Sequence, residues 1–254
     1  IRKSFKIKEL EEFMSVNEIV RIIPTLKVNN RKLNEIFYIE TLGMKPLLEE
    51  SAFLSLGDQT GTERLILEEA PSMRTRRVEG LKKLARLLIK VEDPSEIEAL
   101  LSQMKSLPRL FKGSRGYAFE IVSPEEDVIL VHAENDIRDL VPLETVPEFY
   151  SNTGIKYLSQ FEVSMELRLP EETESLLDPE GVAPVITFTK GQGPDLAVEN
   201  NVTWDLTMLK FLVRNFDLTS LRQKFEKTGY FVPKSEKFFL GKDTNNIELW
   251  FEEA

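Results

Sequence analysis

Apolar side chains crowd residues 16 to 28, where Ile19, Val20, Ile22, Ile23, Leu26 and Val28 predict a strand. Asn29-Asn30 then offers a helix cap. Leu33, Ile36, Phe37 and Leu42 follow at helical spacing, and Gly43 supplies the stop. Three short apolar runs, near 44–48, 52–56 and 64–68, predict strands separated by turns at 49–51 and 57–61. The order is strand, helix, three strands. It recurs at once. Leu84–Val91 is a dense aliphatic strand, and Asp93-Pro94 opens a helix with Ile97, Leu100, Leu101 and Met104 on one face. Strands then follow near 109–112, 117–122 and 128–132.

The second half is less regular. Residues 161–169 alternate Phe161, Val163, Met165, Leu167 and Leu169, the period of a strand with one buried face. The acidic stretch Glu171–Glu174 predicts helix-start charge, and a strand is expected over 184–189. The last unit is complete: a strand over 204–213, a helix over 218–227, and strands over 230–232, 237–240 and 246–251. Trp204, Leu209, Phe211 and Val213 are expected in its core. Repetition of one supersecondary block makes this an α+β chain of tandem βαβββ modules, the third of them eroded. The expected division is an extension over 1–13, an N-terminal domain over 14–140, a linker over 141–154 and a C-terminal domain over 155–254. Met14 is a candidate start. Ile7, Leu10 and Phe13 also suit a short packed helix ahead of it.

Composition narrows the chemistry. The 254 residues include no cysteine, which removes disulfides, thiolate metal sites and a cysteine nucleophile. The single histidine, His132, removes any site built on two imidazoles. A net charge of −10 opposes general nucleic-acid binding. No stretch has the apolar length of a membrane span, and no signal-peptide core opens the chain, so the sequence predicts a cytoplasmic protein.

Hydrolytic motifs are sparse. Asp58-Gln59-Thr60-Gly61 is one residue too long for an aspartic-protease loop, and no Gly-x-Ser-x-Gly elbow is present. Ser102-Gln103-Met104-Lys105 matches Ser-x-x-Lys, so Ser102 and Lys105 are candidates for a serine activated by lysine. A basic stretch, Arg74, Arg76, Arg77, Lys82, Lys83 and Arg86, suits a solvated connector between the first two modules, or a grip on an acidic partner. Gly191-Gln192-Gly193-Pro194 is too short for a phosphate cradle.

Two runs carry a resemblance. Asn34-Glu35-Ile36-Phe37-Tyr38-Ile39-Glu40-Thr41-Leu42-Gly43-Met44 is similar to the helix end of the vicinal-oxygen-chelate, or glyoxalase-like, superfamily. Residues 116–130, with the turn Ser123-Pro124-Glu125-Glu126-Asp127, resemble its closing hairpin. From Ile19 to about Phe251 the chain resembles the streptococcal CppA proteins, most distinctively over Arg21-Ile22-Ile23-Pro24-Thr25-Leu26-Lys27-Val28-Asn29-Asn30. That family is described as proteinases that degrade the third component of complement.

The resemblance implies two glyoxalase-like domains, each a curved mixed sheet of two successive modules, with a ligand cup inside. It implies a complement protein as substrate and action outside the cell or at its surface. A ligand cup of Ile23, Thr25, Glu68, Arg86, Leu130 and His132 is expected in the N-terminal domain, with Glu68 the counterpart of His132. Glu68, Arg86 and His132 together would bind an anion or support acid–base work. The superfamily's metal positions fall on Ile23, Arg86 and Leu130 in the first two modules and on Met208 and Glu248 in the last. Neither leucine nor arginine serves a cation, so no metal or other cofactor is expected, and Glu248 is the candidate ligand kept at those positions. The alternatives are a metal-free binding module for a small ligand or a protein partner, and an enzyme holding a metal through Glu68 or Glu248. Oligomeric state is left open.

Overall fold

The computed structural model describes residues 17–145, 147–149 and 154–254. The expected extension over 1–13, its helix spacing and the candidate start at Met14 lie outside the described residues.

The first module is strand β1 (Glu18–Val28), helix α1 (Arg31–Glu35) running into a π-helical turn at Ile36–Thr41, then β2 (Lys45–Glu50), β3 (Phe53–Gly57) and β4 (Glu63–Glu69). Asn30 caps α1 by accepting from the Leu33 N–H at 3.1 Å. Gly43, at φ +68°, ends the π turn where a Cβ would lie 3.2 Å from Leu100. The second module is β5 (Leu84–Val91), α2 (Pro94–Gln103), β6 (Arg109–Lys112), β7 (Tyr117–Val122) and β8 (Val128–His132). Asp93 caps α2 through the Ser95 N–H at 2.9 Å.

A short strand, β9 (Val141–Pro142), pairs with Phe111 and Lys112, so the expected linker begins as an edge strand. The third module keeps only β10 (Phe161–Pro170), α3 (Pro179–Val182) and β11 (Ile186–Gly191). The fourth is β12 (Leu206–Arg214), α4 (Leu218–Phe225), β13 (Tyr230–Phe231), β14 (Phe238–Lys242) and β15 (Glu248–Glu253). In every module the first strand lies parallel to the last: β1 with β4, β5 with β8, β10 with β11 and β12 with β15. The third module is therefore a first and a closing strand without a hairpin between them.

The acidic stretch Glu171–Glu174 does not start a helix. It is turn and coil, drawn toward the fourth module where Asp243 accepts from the Leu176 N–H and the Ser175 hydroxyl. The short helix comes later, capped by Asp178.

The modules do not pair in sequence order. Two sheets form, with orders β13-β14-β15-β12-β1-β4-β3-β2 and β11-β10-β5-β8-β7-β6-β9. The first module thus pairs with the fourth through antiparallel β1 and β12, and the second with the third through β5 and β10. The expectation that successive modules share a sheet is corrected. Each seam carries an ion pair directly across it: Glu18 with Arg214 at 3.0 Å in one, Arg86 with Glu166 at 2.7 Å in the other. The apolar faces of both sheets join one core that includes Leu26, Leu87, Ile89, Met165, Phe211 and Phe251. Among the described residues, no helix is long and apolar enough to cross a membrane.

Candidate functional site

Alternation along β1 sends Ile22, Leu26 and Val28 into the core and leaves Ile23, Thr25 and Lys27 on the opposite, cupped face. The strand register sets what surrounds them. Thr25 lies opposite both Met208 and Ile66, Lys27 opposite Glu68, and Met208 opposite Glu248. The floor of the eight-stranded cup is therefore built by the first and fourth modules together.

Lys27 is buried there against two oxygen partners. Its Nζ lies 3.1 Å from Glu68 Oε1 and donates to the Asn200 carbonyl at 2.9 Å. The Thr207 hydroxyl lies 3.3 Å from both the other Glu68 oxygen and the Thr25 carbonyl and shares its one proton between them. Farther along the cup, Lys210 Nζ meets Glu63 at 3.2 Å and Glu252 at 3.0 Å. Burial works against the Lys210 charge, but the two carboxylates outweigh it and raise its pKa. Glu248 is half-buried, and burial followed by the nearby Glu68 charge raises its pKa, with Lys27 and Lys242 acting the other way. Phe238 and Trp250 stack on the β14–β15 side, with ring centroids 3.8 Å apart.

These donors do not fit a divalent metal. At the floor, an ion would meet the Lys27 ammonium, the Met208 thioether and the Ile23 and Ile66 hydrocarbon. Of its two carboxylates, Glu68 is already neutralised by Lys27. Among the described residues, no group of three or more acidic or histidine side chains gathers to hold an ion.

The expected grouping of Glu68, Arg86 and His132 is not formed. Glu68 lies on the eight-stranded sheet, whereas Arg86, Leu130 and His132 lie on the seven-stranded one, because the first two modules do not share a sheet. The register does align the closing strands: Lys90 faces His132 as Lys27 faces Glu68. Arg86 is occupied by Glu166, and Lys90 donates to Asn135 at 2.9 Å. His132 is 4% exposed, and its Nδ1 has no hydrogen-bond partner among the described residues. Burial first, then the Lys90 and Arg86 charges, lowers its pKa to about 4, so it is neutral at pH 7.

That shift has a measurable sign. As pH falls below about 6.5, the unfolded chain protonates His132 while the folded protein does not until about 4. Stability is therefore lost between those values, by about 3 kcal/mol from this residue. Urea unfolding at pH 7 and pH 4 should show a smaller loss in His132→Gln than in the parent. Equal losses would contradict a buried neutral imidazole.

Ser102 and Lys105 do not form a dyad. The Ser102 hydroxyl donates to the Ala99 carbonyl at 2.7 Å, and Lys105 is exposed beyond the end of α2. The basic stretch is not a solvated connector throughout. Arg76 grips Asp195 through two hydrogen bonds, at 2.6 and 2.8 Å. Half-buried Lys82 pairs with Asp127, and Lys83, 1% exposed, donates to the Val198 carbonyl at 2.8 Å. Arg76 and Lys83 fasten the 70–83 connector to the 192–205 return. A cleft of about 660 Å³ beside Arg31 lies elsewhere, with Arg31 already paired to Glu49 and Glu69. Lys27, Lys210 and Trp250 were not among the residues expected in the cup. The signal for Lys27 was present: it is the one charge inside the apolar run 22–28.

Comparisons with known proteins agree with this architecture. The family model described as CppA N-terminal matches residues 21–143, and that described as CppA C-terminal matches 158–251. The crystal structure of the cppA protein from Streptococcus pneumoniae is 67% identical, with a TM-score of 0.92, covering 94% of this chain and 100% of that one. A glyoxalase I mutant from Zea mays is 10% identical with a TM-score of 0.58, covering 97% of this chain and 96% of that one. Zea mays glyoxalase I itself has a TM-score of 0.54 at 10% identity, covering 93% and 92%. The maize likenesses establish a glyoxalase-like fold. No curated protein matches significantly.

Proposed function

The chain belongs to the CppA family, and from that premise we propose that it is a metal-independent binding module that holds a small ligand in the cup of its eight-stranded sheet. The observation that carries this reading is the floor of the cup, where Lys27 answers Glu68 from within the protein. Beside it, the Phe238–Trp250 stack offers an apolar wall for a ring or chain.

The proteinase activity toward the third complement component, implied by the resemblance, is the second reading. It requires a nucleophile activated by a base. The candidate residues are dispersed: Ser102 on α2, His132 on β8 and Glu68 on β4. An enzyme using a metal held by Glu68 or Glu248 is less well supported, because Lys27 already neutralises Glu68.

Chelator-treated protein, screened by thermal shift against a broad metabolite library, should be stabilised by one ligand class. A ligand at a hundred times its Kd adds about 2.7 kcal/mol by mass action. Trp250→Ala should abolish that shift. A library that moves neither protein would sink the binding reading. Cleavage of the complement protein by chelator-treated material, lost in Ser102→Ala or His132→Ala, would establish the proteinase reading instead.

A further inference from the structure

Glu68, near the end of β4, lies opposite Lys27 of its first strand, and Glu248, at the start of β15, lies opposite Met208 of its own. Those first strands, β1 and β12, are neighbours at the centre of the sheet, so both carboxylates face one cup. Two acidic groups so placed repel each other unless a cation stands near them. Lys27 supplies that charge. Its ammonium lies 3.1 Å from Glu68, and its field favours the charged form of Glu248.

The oxygen atoms around it are held in place. Asn200 turns its carbonyl to the ammonium and donates its side-chain amide to the Thr207 carbonyl at 2.6 Å. The Thr207 hydroxyl in turn lies within hydrogen-bond distance of Glu68 and of the Thr25 carbonyl. Carboxylate and carbonyl oxygens are donors that a hard divalent cation takes, and here they hold a lysine.

We propose that the Lys27 ammonium is the resident cation of this cup, standing in for a divalent metal between Glu68 and Glu248. Its covalent tether keeps the cation in the cup independently of metal supply. Lys27 has this role whether or not the cup binds a ligand, since an empty cup would need the same counter-charge.

The test is a Mn²⁺ titration, followed by electron paramagnetic resonance of free Mn²⁺, of the parent protein, Lys27→Ala and Lys27→Ala/Glu68→Gln. The parent should take no stoichiometric ion. Lys27→Ala uncovers the oxygens and leaves room for an ion, so it should gain one site with a Kd on the order of 10⁻⁴–10⁻³ M, the weak end of oxygen-ligand sites. Mn²⁺ should also raise its melting temperature, and the double variant should lose both effects. Lys27→Gln, which keeps most of the stem, provides the same comparison if Lys27→Ala does not fold. One Mn²⁺ bound by the parent and lost in Glu68→Gln would overturn the proposal. So would a folded Lys27 variant that binds Mn²⁺ no better than the parent.

Discussion

Asp205→Ala is expected to destabilise the protein by about 3–5 kcal/mol, a large share of a typical folding free energy of about 5–15 kcal/mol. Asp205 is 2% exposed just before β12, where the eight-stranded sheet meets the beginning of β5. Its carboxylate accepts from the Lys83 N–H at 2.6 Å, the Leu84 N–H at 3.1 Å and the Leu206 N–H at 2.8 Å. Its own backbone carbonyl accepts from the Lys27 N–H at 3.0 Å. Alanine would leave three backbone donors without this acceptor, and it would remove a negative charge that favours the Lys82 ammonium. Asp205→Asn keeps one carbonyl oxygen and should cost less. Urea unfolding of the two variants provides the comparison. A loss below about 1 kcal/mol for Asp205→Ala would show that Asp205 does not hold the sheets together.

Phe225→Ala is expected to cost about 3–5 kcal/mol by leaving a cavity behind the wall of the cup. Phe225 ends α4 fully buried, with its ring 5.3 Å from Phe239 and 6.0 Å from Phe251. Gly241 on β14 admits that ring: a Cβ there would lie 2.7 Å from it. Phe239 and Phe251 belong to the strands that carry Phe238 and Trp250, so the same substitution should weaken ligand binding in the cup. Thermal melting and calorimetric binding would follow both effects. A loss under about 1.5 kcal/mol with unchanged binding would mean that α4 does not support this wall.

The local elements of the second module were legible because several signals agreed. Leu84–Val91 is densely aliphatic, and Asp93-Pro94 marks a helix start in two ways, as cap and as first-turn proline. The strands over 109–112, 117–122 and 128–132 were delimited by turn residues and match β6, β7 and β8. The third module was recognisably eroded, because only residues 161–169 and 184–189 had strand character.

The pairing of modules was not legible. β1 and β5 are both aliphatic first strands with one edge taken by their own closing strand, and hydrophobic period does not say which distant strand takes the other. The choice depends on long-range contacts such as Arg86 with Glu166 and Arg76 with Asp195. That one ambiguity separated Glu68 from Arg86 and His132, and it hid that Glu68 and Glu248 belong to one sheet. Glu171–Glu174 misled for a related reason: acidic residues suit a helix start, but Asp243 of another module organises the segment that follows them.

The cup shared by the first and fourth modules is expected to bind a ligand without metal. Calorimetric titration of the strongest library ligand into chelator-treated protein tests it most directly, with Trp250→Ala and Arg86→Ala as paired variants. One site per chain is expected, lost in Trp250→Ala and retained in Arg86→Ala. Binding that needs added metal, or that survives Trp250→Ala and disappears in Arg86→Ala, would contradict it.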